Sequence, residues 1–374
     1  MYLKCIEIEN FRNYSKLKIS FKKGINIIYG ENGQGKTNLL ESIYFLAMTK
    51  SYRSYIDSNL IKDNENYFKL KGQLYTDNIK TNLEIKYSNK EKIIKKDNNK
   101  ILKLNDYISN MNLIIFCPDD LNLIKGYPSD RRKYLNLEIS QLNSDYLSVV
   151  NDYSKLLKMR NDYLKNQYID INYLKILTDY LIKKAIIIYR MRKKYIDRIN
   201  ENIESIYFNL SNINGFFLKY NDMLNTDNYS YENIERILNE KFKENYEKEL
   251  ILKKTLFGPQ HDDIEFKINE FNIKTYGSQG QQRMAILAIK LAELEIIKKY
   301  KNHYPILLLD DVFSEIDKNK KNNLLKYVYD NSQVIITTTD LNNIGKKIKE
   351  QSKLIKIKNG SLEKVTEVIR WKMN

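Results

Sequence analysis

A glycine-rich turn between a predicted strand and a predicted helix restricts the fold of this chain more than any other feature. Residues 30–37 read GENGQGKT, which fits the pattern G-x-x-x-x-G-K-[ST]. The preceding run, residues 25–29, is apolar and is predicted to be a buried strand. After the turn, apolar residues between Leu39 and Ala47 recur at helical spacing. A strand, a glycine turn and a helix in this order predict a phosphate-binding loop.

The residue types in the turn have chemical reasons. Glycines let backbone N–H groups approach phosphate oxygens, Lys36 supplies a mobile positive charge, and the Thr37 hydroxyl is a ligand for Mg²⁺. The predicted cofactors are therefore ATP and Mg²⁺. The predicted nucleotide-binding residues are Gly30, Glu31, Asn32, Gly33, Gln34, Gly35, Lys36, Thr37 and Asn38.

A metal site also needs a carboxylate, and a buried strand that ends in acid is its expected source. Residues 304–311 form an apolar run that ends in two aspartates. We predict that Asp310 joins Thr37 as a metal ligand. We also predict that Asp311 polarises the attacking water, and that Lys36 completes the catalytic set. The alternative, an N-cap pair that opens the next helix, is common for aspartate, but the glycine turn favours the metal site.

A third motif indicates the subclass. Residues 276–293 begin with serine and glycine in a turn and continue as a helix with several apolar residues. In ABC-type ATPases such a segment caps the nucleotide held by the other subunit, because a serine hydroxyl, a glycine N–H and a helix N-terminus make an anion site. A capped surface helix is the alternative. The predicted contacts to the partner's nucleotide are Ser278, Gln279, Gly280 and Gln281, followed by Gln282. Residues 314–317 resemble the loop that crosses between the two nucleotides.

The separation of the motifs predicts the domain organisation. Lys36 and Asp310 are 274 positions apart, so a long insertion interrupts the core. Residues 129–250 contain a single glycine and no proline, and their periodicity is helical. Ile196, Ile199, Ile203 and Ile206 form a seam that is predicted to pack against another helix. Further strands are predicted at residues 3–11, 17–21 and 333–340, and a hairpin or exposed loop at 90–100.

These observations predict an α/β fold: an ABC-type ATPase head with an N-terminal antiparallel β region, and an inserted α-helical lobe. The predicted segments are a first half of the head at residues 1–120, a helical insertion lobe at 121–254, and a second half of the head at 255–374.

Net charge indicates a polyanionic partner. The chain carries +16 at pH 7, and residues 151–200 contain 12 Lys or Arg against 5 Asp or Glu. The predicted DNA-binding residues on one helix are Lys183, Lys184, Arg190, Arg192, Lys193 and Lys194, and the alternative is a solvated face. No apolar run reaches the roughly 20 residues that cross a bilayer, and two cysteines make no disulfide framework. We therefore expect a cytoplasmic protein without a membrane partner.

With these motifs together, the sequence resembles the RecF family of bacterial recombination and repair proteins, which are ABC/SMC-like ATPases. The resemblance covers nearly the whole chain. Residues 258–263 read GPQHDD where the family usually has GPHRDD, so no family role is transferred to His261. The motifs that carry the resemblance to the RecF family are IENFRNY (8–14), GENGQGKTNLLESIY (30–44), KSYR (50–53), FCPDDLNLIKGYPSDRRKYLN (116–136), YSKLLKMRN (153–161), GSQGQQR (277–283) and LLLDDVFSEID (307–317).

The resemblance implies a protein that binds ATP and DNA and forms a homodimer when ATP is bound. It further implies work with RecO and RecR in loading RecA at single-stranded gaps, and a part in replication and SOS induction. Hydrolysis is expected to be slow and stimulated by DNA. The alternatives are a nucleotide-gated scaffold with negligible ATPase activity, the motor subunit of an ABC transporter, and a P-loop kinase that acts on a small molecule.

Overall fold

The computed structural model describes residues 1–311 and 332–367, and these pack into two compact units. Unit 1 combines residues 1–120 with the described residues from 293 onwards, and unit 2 is residues 121–292. The sequence placed the return to the ATPase head at residue 255. Residues 255–292 instead pack in unit 2, because a strand in that stretch pairs with a strand of the insertion. Among the described helices, none combines the length and the apolar character that crossing a membrane requires.

The first sheet of unit 1 is antiparallel, in the order β2-β1-β4-β5-β6-β7. The strand predicted at residues 3–11 contains a bulge between Leu3 and Cys5, which shifts its alternation so that Leu3, Ile6 and Ile8 are buried. Residues 90–100 form the predicted hairpin. The strands are β1 (Tyr2–Phe11), β2 (Tyr14–Ser20), β4 (Tyr67–Thr76), β5 (Ile79–Ser88), β6 (Glu91–Lys96) and β7 (Asn99–Lys100).

The second sheet of unit 1 has the order β15-β14-β3-β13-β12-β8 and is parallel except for its edge strand β15. Its central strands β3, β13 and β12 are almost wholly buried, as expected for strands covered on both faces. The strands predicted from the apolar runs before the glycine turn and before the two aspartates are confirmed. The strands are β3 (Ile25–Tyr29), β8 (Leu113–Phe116), β12 (Ile306–Asp310), β13 (Val334–Thr338), β14 (Lys353–Lys358) and β15 (Ser361–Glu367).

The helices of unit 1 include α1, which follows the glycine turn as predicted and buries 11 of its 13 residues. Their bounds are α1 (Lys36–Met48), α2 (Asn105–Ile108) and α12 (Lys346–Glu350). Helix α11 (Gln279–Lys301) begins in unit 2, and the division between the units falls within it.

Unit 2 is mainly helical, as predicted, and its two longest helices, α5 and α6, are consecutive and pack together. The isoleucine seam is buried, but it is shared by α6 and α7, since α6 ends at Asn200 and α7 begins at Ile203. The helices are α3 (Asn122–Lys125), α4 (Pro128–Leu142), α5 (Ser144–Tyr163), α6 (Ile171–Asn200), α7 (Ile203–Ser211), α8 (Tyr231–Glu244), α9 (Tyr246–Leu252) and α10 (Ile273–Tyr276).

A three-stranded antiparallel sheet in unit 2 was missed by the sequence analysis. Its order is β11-β10-β9, with β9 (Phe216–Asn221), β10 (Asp263–Ile268) and β11 (Phe271–Asn272). The signal was present in β9, where buried Phe216 and Leu218 alternate with exposed residues directly after Gly215, which has φ +82°.

Candidate nucleotide site

The glycine turn joins β3 to α1 and depends on the absence of side chains. Gly33 and Gly35 have φ of +77° and +109°, a region that residues with a Cβ rarely adopt. A Cβ on Gly35 would lie 2.6 Å from Asn13 Nδ2, whereas a Cβ on Gly33 would meet no atom within 4 Å. Gly35 is also the N-cap of α1 and supplies no side-chain hydrogen bond. The N-terminus of α1 thus has no side-chain cap, and the turn before it is open at Gly33, an arrangement that suits an anion.

Lys36 is buried and folds back over the turn. Its Nζ donates hydrogen bonds to the carbonyl oxygens of Gly30 (2.8 Å) and Glu31 (2.7 Å). Burial lowers the pKa of Lys36, and the nearby carboxylates of Asp311 and Asp310 oppose that shift. The ammonium group is thus held at the mouth of the glycine turn, close to both predicted acids.

The structure brings the two predicted metal ligands into direct contact. Thr37 Oγ1 donates to Asp310 Oδ1 at 3.0 Å, although the residues are 273 positions apart. Asp310 ends β12, is 4% exposed, and also accepts hydrogen bonds from Thr337 Oγ1 (2.8 Å) and Tyr52 Oη (3.3 Å). Burial, followed by the charge of Asp310, raises the pKa of Tyr52, so the phenol remains a donor.

Asp311 follows directly and has a left-handed backbone, with φ +51°. Its N–H donates to Thr337 Oγ1 at 3.0 Å. One hydroxyl of β13 therefore contacts both aspartates: it donates to the carboxylate of Asp310 and accepts from the amide of Asp311. The sequence analysis missed Thr337, and no local pattern points to it.

Two further turns hold the glycine loop in place. From the β1–β2 turn, Asn13 Nδ2 donates to Gln34 O (3.3 Å) and Tyr14 Oη donates to Gly35 O (2.8 Å). From the β14–β15 turn, Gly360 N also donates to Gln34 O, at 3.1 Å. Burial raises the pKa of Tyr14, which keeps its hydroxyl protonated. These contacts fix the loop backbone before any ligand binds.

An ion-pair network lies beside the loop on α1. Glu41 is fully buried, and Arg12 binds it through both Nε (3.0 Å) and Nη2 (2.8 Å). Arg53 Nη1 reaches Glu41 (3.4 Å) and also donates to Asn38 Oδ1 at 3.0 Å. Arg12 and Arg53 lie in two of the motifs that carry the family resemblance, but their spacing in the sequence did not predict Glu41 as their shared ion-pair partner.

The residues present fit a nucleoside triphosphate and a divalent cation. The open space at Gly33 suits a phosphate chain, and the Lys36 ammonium contacts carbonyl oxygens of the same turn. The carboxylate and hydroxyl of Asp310 and Thr37 are oxygen ligands of the kind that Mg²⁺ prefers.

In unit 2, the predicted partner-facing turn caps α11. Ser278 N donates to Gln281 Oε1 (2.8 Å) and Gln281 N donates to Ser278 Oγ (3.2 Å). Ser278, Gln279 and Gly280 are exposed. Gln282 is buried and donates to the carbonyl oxygens of the preceding turn. Residues 314–317, predicted to cross between nucleotides, lie outside the described residues.

The predicted DNA-binding set does not share one exposed face. Arg192 is 4% exposed, and its Nη1 donates to Asp262 Oδ2 at 2.6 Å, so its inclusion was wrong. Lys184 forms an ion pair with Asp152 (2.9 Å), and Lys193 forms one with Asp197. The remaining three, Lys183, Arg190 and Lys194, are exposed.

Comparison with known proteins gives the family. The domain described as "RecF/RecN/SMC N terminal domain" matches residues 2–363. The chain is 38% identical over 364 residues to the DNA replication and repair protein RecF of Streptococcus thermophilus, which covers 97% of this chain and 98% of the relative. The chain belongs to the RecF family. The RecF of Staphylococcus carnosus is 37% identical over 374 residues, covering 97% of this chain and 100% of the relative.

Solved structures agree with this assignment. The recombination mediator protein RecF with ATP, of the RecFOR pathway, has a TM-score of 0.90 at 33% identity, with 98% of each chain covered. An Smc head has a TM-score of 0.53 at 17% identity, which shows the fold alone. The predicted α/β fold with an ABC-type ATPase head is therefore confirmed, as is the RecF resemblance.

Proposed function

We propose that this chain is an ATP-dependent DNA-binding protein of recombinational repair that forms a dimer when ATP is bound. The observation that carries the proposal is the hydrogen bond from Thr37 Oγ1 to Asp310 Oδ1, which joins the glycine turn to an acid on a distant strand. Membership of the RecF family supports the role in replication and repair. RecO and RecR are the proposed partners in loading RecA at single-stranded gaps, with a part in SOS induction.

Residues of unit 1 divide the work on ATP. Amides of residues 30–38 bind the phosphates, and Lys36 moves from the carbonyl oxygens of the turn to phosphate oxygens. Thr37 and Asp310 hold Mg²⁺, which when bound neutralises negative charge on the phosphates. Asp311 accepts a hydrogen bond from the attacking water and orients it. Thr337 keeps both aspartates in position.

Residues of unit 2 supply the second contact to the nucleotide. Ser278, Gln279, Gly280 and Gln281 present a hydroxyl and the N-terminus of α11 to the γ-phosphate held by the partner. ATP then binds the dimer more tightly than the monomer, and by linkage stabilises the dimer. Slow hydrolysis ends this contact and separates the two copies. Lys183, Arg190 and Lys194 are three exposed cations of α6 that can contact DNA.

Two substitutions test the proposal by analytical ultracentrifugation with and without ATP. Lys36→Ala removes the cation at the phosphates, so the protein is expected to stay monomeric with ATP. Asp311→Asn retains the binding residues but weakens water activation, so the ATP dimer is expected to form and persist. Lys80→Ala, at an exposed lysine of β5, is the matched control and should behave like the wild type. If both test variants form dimers with ATP and dissociate like the wild type, the gating mechanism, in which ATP binding stabilises the dimer and hydrolysis separates it, is wrong.

Phosphate release measured on the same samples, with and without DNA, separates a slow ATPase from a scaffold. A slow ATPase releases phosphate in the wild type and loses that release in Asp311→Asn.

A further inference from the structure

Three aromatic side chains are exposed on unit 2 beside residues 278–281, the predicted partner-facing turn, which we call the Ser278 turn. Tyr127 is 76% exposed, Phe271 63% and Tyr276 73%, and we refer to these three as the aromatic cluster. The Phe271 and Tyr276 rings meet edge to face, with centroids 5.9 Å apart. Single exposed apolar residues are ordinary, but adjoining exposed aromatics mark an interaction surface.

The aromatic cluster is tied to the N-terminus of α11. Gln282 Nε2, in the first turn of α11, donates to the carbonyl oxygens of Ile273 (3.1 Å) and Gly277 (3.2 Å). Lys274 Nζ donates to Gly126 O at 3.0 Å, and Gly126 directly precedes Tyr127. Ile273 is buried at the centre of this short segment. A molecule that docks on the Ser278 turn therefore meets the aromatic cluster in a fixed position.

We propose that the aromatic cluster docks on a second copy of this chain in the ATP-bound dimer. This rests on the proposed function, in which the Ser278 turn faces the partner's nucleotide. The cluster is continuous with that surface, so a partner that reaches the turn also covers the rings. The proposed contact adds an apolar protein–protein surface to a dimer that is otherwise held together through the bound nucleotide.

The available area supports a protein partner. Aromatic side chains bury about 150–250 Å² each, so three rings at the measured exposures offer on the order of 400 Å². A standard interface needs about 800 Å² from each partner, so the cluster supplies roughly half of it. Phosphate contacts alone bury little apolar surface. Tyrosine and phenylalanine are also enriched at the centres of interfaces.

Charge around the aromatic cluster disfavours nucleic acid as its occupant. Glu270, whose side chain is 94% exposed, directly precedes Phe271. Glu270 pairs with Lys267 (3.6 Å) and Lys274 Nζ donates to Gly126 O, so both of these cations have partners within unit 2, whereas Lys125, two residues before Tyr127, is exposed. A single strand that stacks on aromatic rings also needs positive charge along its backbone. A protein surface has no such requirement.

The double variant Phe271→Ala/Tyr276→Ala tests the proposal, with Tyr127→Ala as an independent single variant. Tyr168→Ala is the matched control, since Tyr168 is an exposed tyrosine (85%) in the connection between α5 and α6. The dissociation constant of the ATP dimer is measured by sedimentation, and ATP affinity is measured at concentrations where the protein is monomeric. DNA affinity is measured in parallel with a single-stranded oligonucleotide.

We expect the double variant to raise the dimer dissociation constant about 10–100-fold, and Tyr127→Ala to raise it less. ATP affinity of the monomer and the behaviour of Tyr168→Ala should not change. Dimer constants within twofold of the wild type in both variants would overturn the cluster's role while the gating mechanism stands. Loss of DNA affinity with an unchanged dimer constant would assign the cluster to nucleic acid instead. A wild type that stays monomeric with ATP would overturn both proposals.

Discussion

Two pairs of adjacent aspartates, Asp310–Asp311 and Asp262–Asp263, have the same chemistry in isolation and different surroundings in the fold. The first pair lies at the carboxyl end of a parallel strand in unit 1. The second lies at the start of an antiparallel strand in unit 2. In each pair the first aspartate is buried, with 4% exposed for Asp310 and 0% for Asp262. The difference lies in the groups that contact the carboxylates, which determines whether either pair can take a cation from solution.

Hydroxyl groups contact the carboxylate of Asp310 in the unit 1 pair. Asp310 accepts hydrogen bonds from Thr37, Thr337 and Tyr52, none of which carries charge. Hydrogen bonds from neutral donors orient a carboxylate without compensating its charge, and the nearby Lys36 ammonium donates its hydrogen bonds to the carbonyl oxygens of Gly30 and Glu31. A divalent cation bound beside Thr37 would supply the compensation.

Arginines neutralise the unit 2 pair. Arg192 donates to Asp262 at 2.6 Å, and Arg131 binds Asp263 through two nitrogens, Nε and Nη2, the latter at 3.0 Å. Tyr220 Oη also donates to Asp262. A buried carboxylate that is paired with its own arginine has little remaining affinity for a metal ion. We infer that the unit 2 pair fastens α4, α6 and β10 together, and that the unit 1 pair serves the nucleotide.

The largest expected effect contrasts Asp310→Asn with Asp262→Asn. Loss of the Asp310 charge should lower phosphate release on the order of 10²–10³-fold, because phosphate charge is then poorly compensated. Asp262→Asn should leave phosphate release within a few-fold of the wild type. Both are measured with saturating ATP and a titration of Mg²⁺. Equal losses in the two variants would mean that the difference in surroundings has no functional meaning.

Substitution at the unit 2 pair should lower the stability of the protein, whereas substitution at the unit 1 pair should lower phosphate release. Arg192→Met removes the cation that Asp262 faces, together with its hydrogen bonds to Pro259 O and Asn136 Oδ1. We expect the free energy of unfolding to fall by about 3 kcal/mol, because a buried carboxylate then lacks its partner. Urea denaturation measures it, and Lys194→Met, at an exposed position of the same helix, should change it by less than about 0.5 kcal/mol. A similar loss of stability in the two variants would contradict the inference that the unit 2 pair fastens α4, α6 and β10 together.

The parts of the nucleotide site that sequence predicts are those with a local pattern. The glycine turn and the apolar strand before the aspartates carry their signal within about ten residues each, and both occur in the structure as expected. The contact of Thr337 to Asp310 depends on strand order in the second sheet of unit 1, and Tyr52 reaches Asp310 from the segment that follows α1. Strand order is set by packing across the whole unit, so a single sequence without an alignment does not specify it.

The error at Arg192 has a different cause, because a usable signal was present. Arg192 lies four residues after Ile188 and four before Ile196, both of which are buried on α6. Helical spacing therefore places the arginine on the apolar face, where a cation needs an acid partner. The count of Lys and Arg residues in this region grouped Arg192 with its exposed neighbours. Lys194, two positions later, falls on the opposite face and is exposed.

The smallest expected effect is a pH dependence of stability that comes from Asp262. Burial raises the pKa of this carboxyl from its usual 3.8 to about 7, and Arg192 opposes the shift. Between those values the folded protein binds more protons at this site than the unfolded chain, so its contribution to stability is full below about pH 4 and is lost as pH rises through about 7. The slope from one site is at most about 1.4 kcal/mol per pH unit. Urea denaturation at intervals from pH 5 to 8 should show a decline in the wild type that Asp262→Asn lacks. Parallel curves would show that the arginine holds Asp262 ionised throughout this range, and the comparison would then rest on the arginines alone.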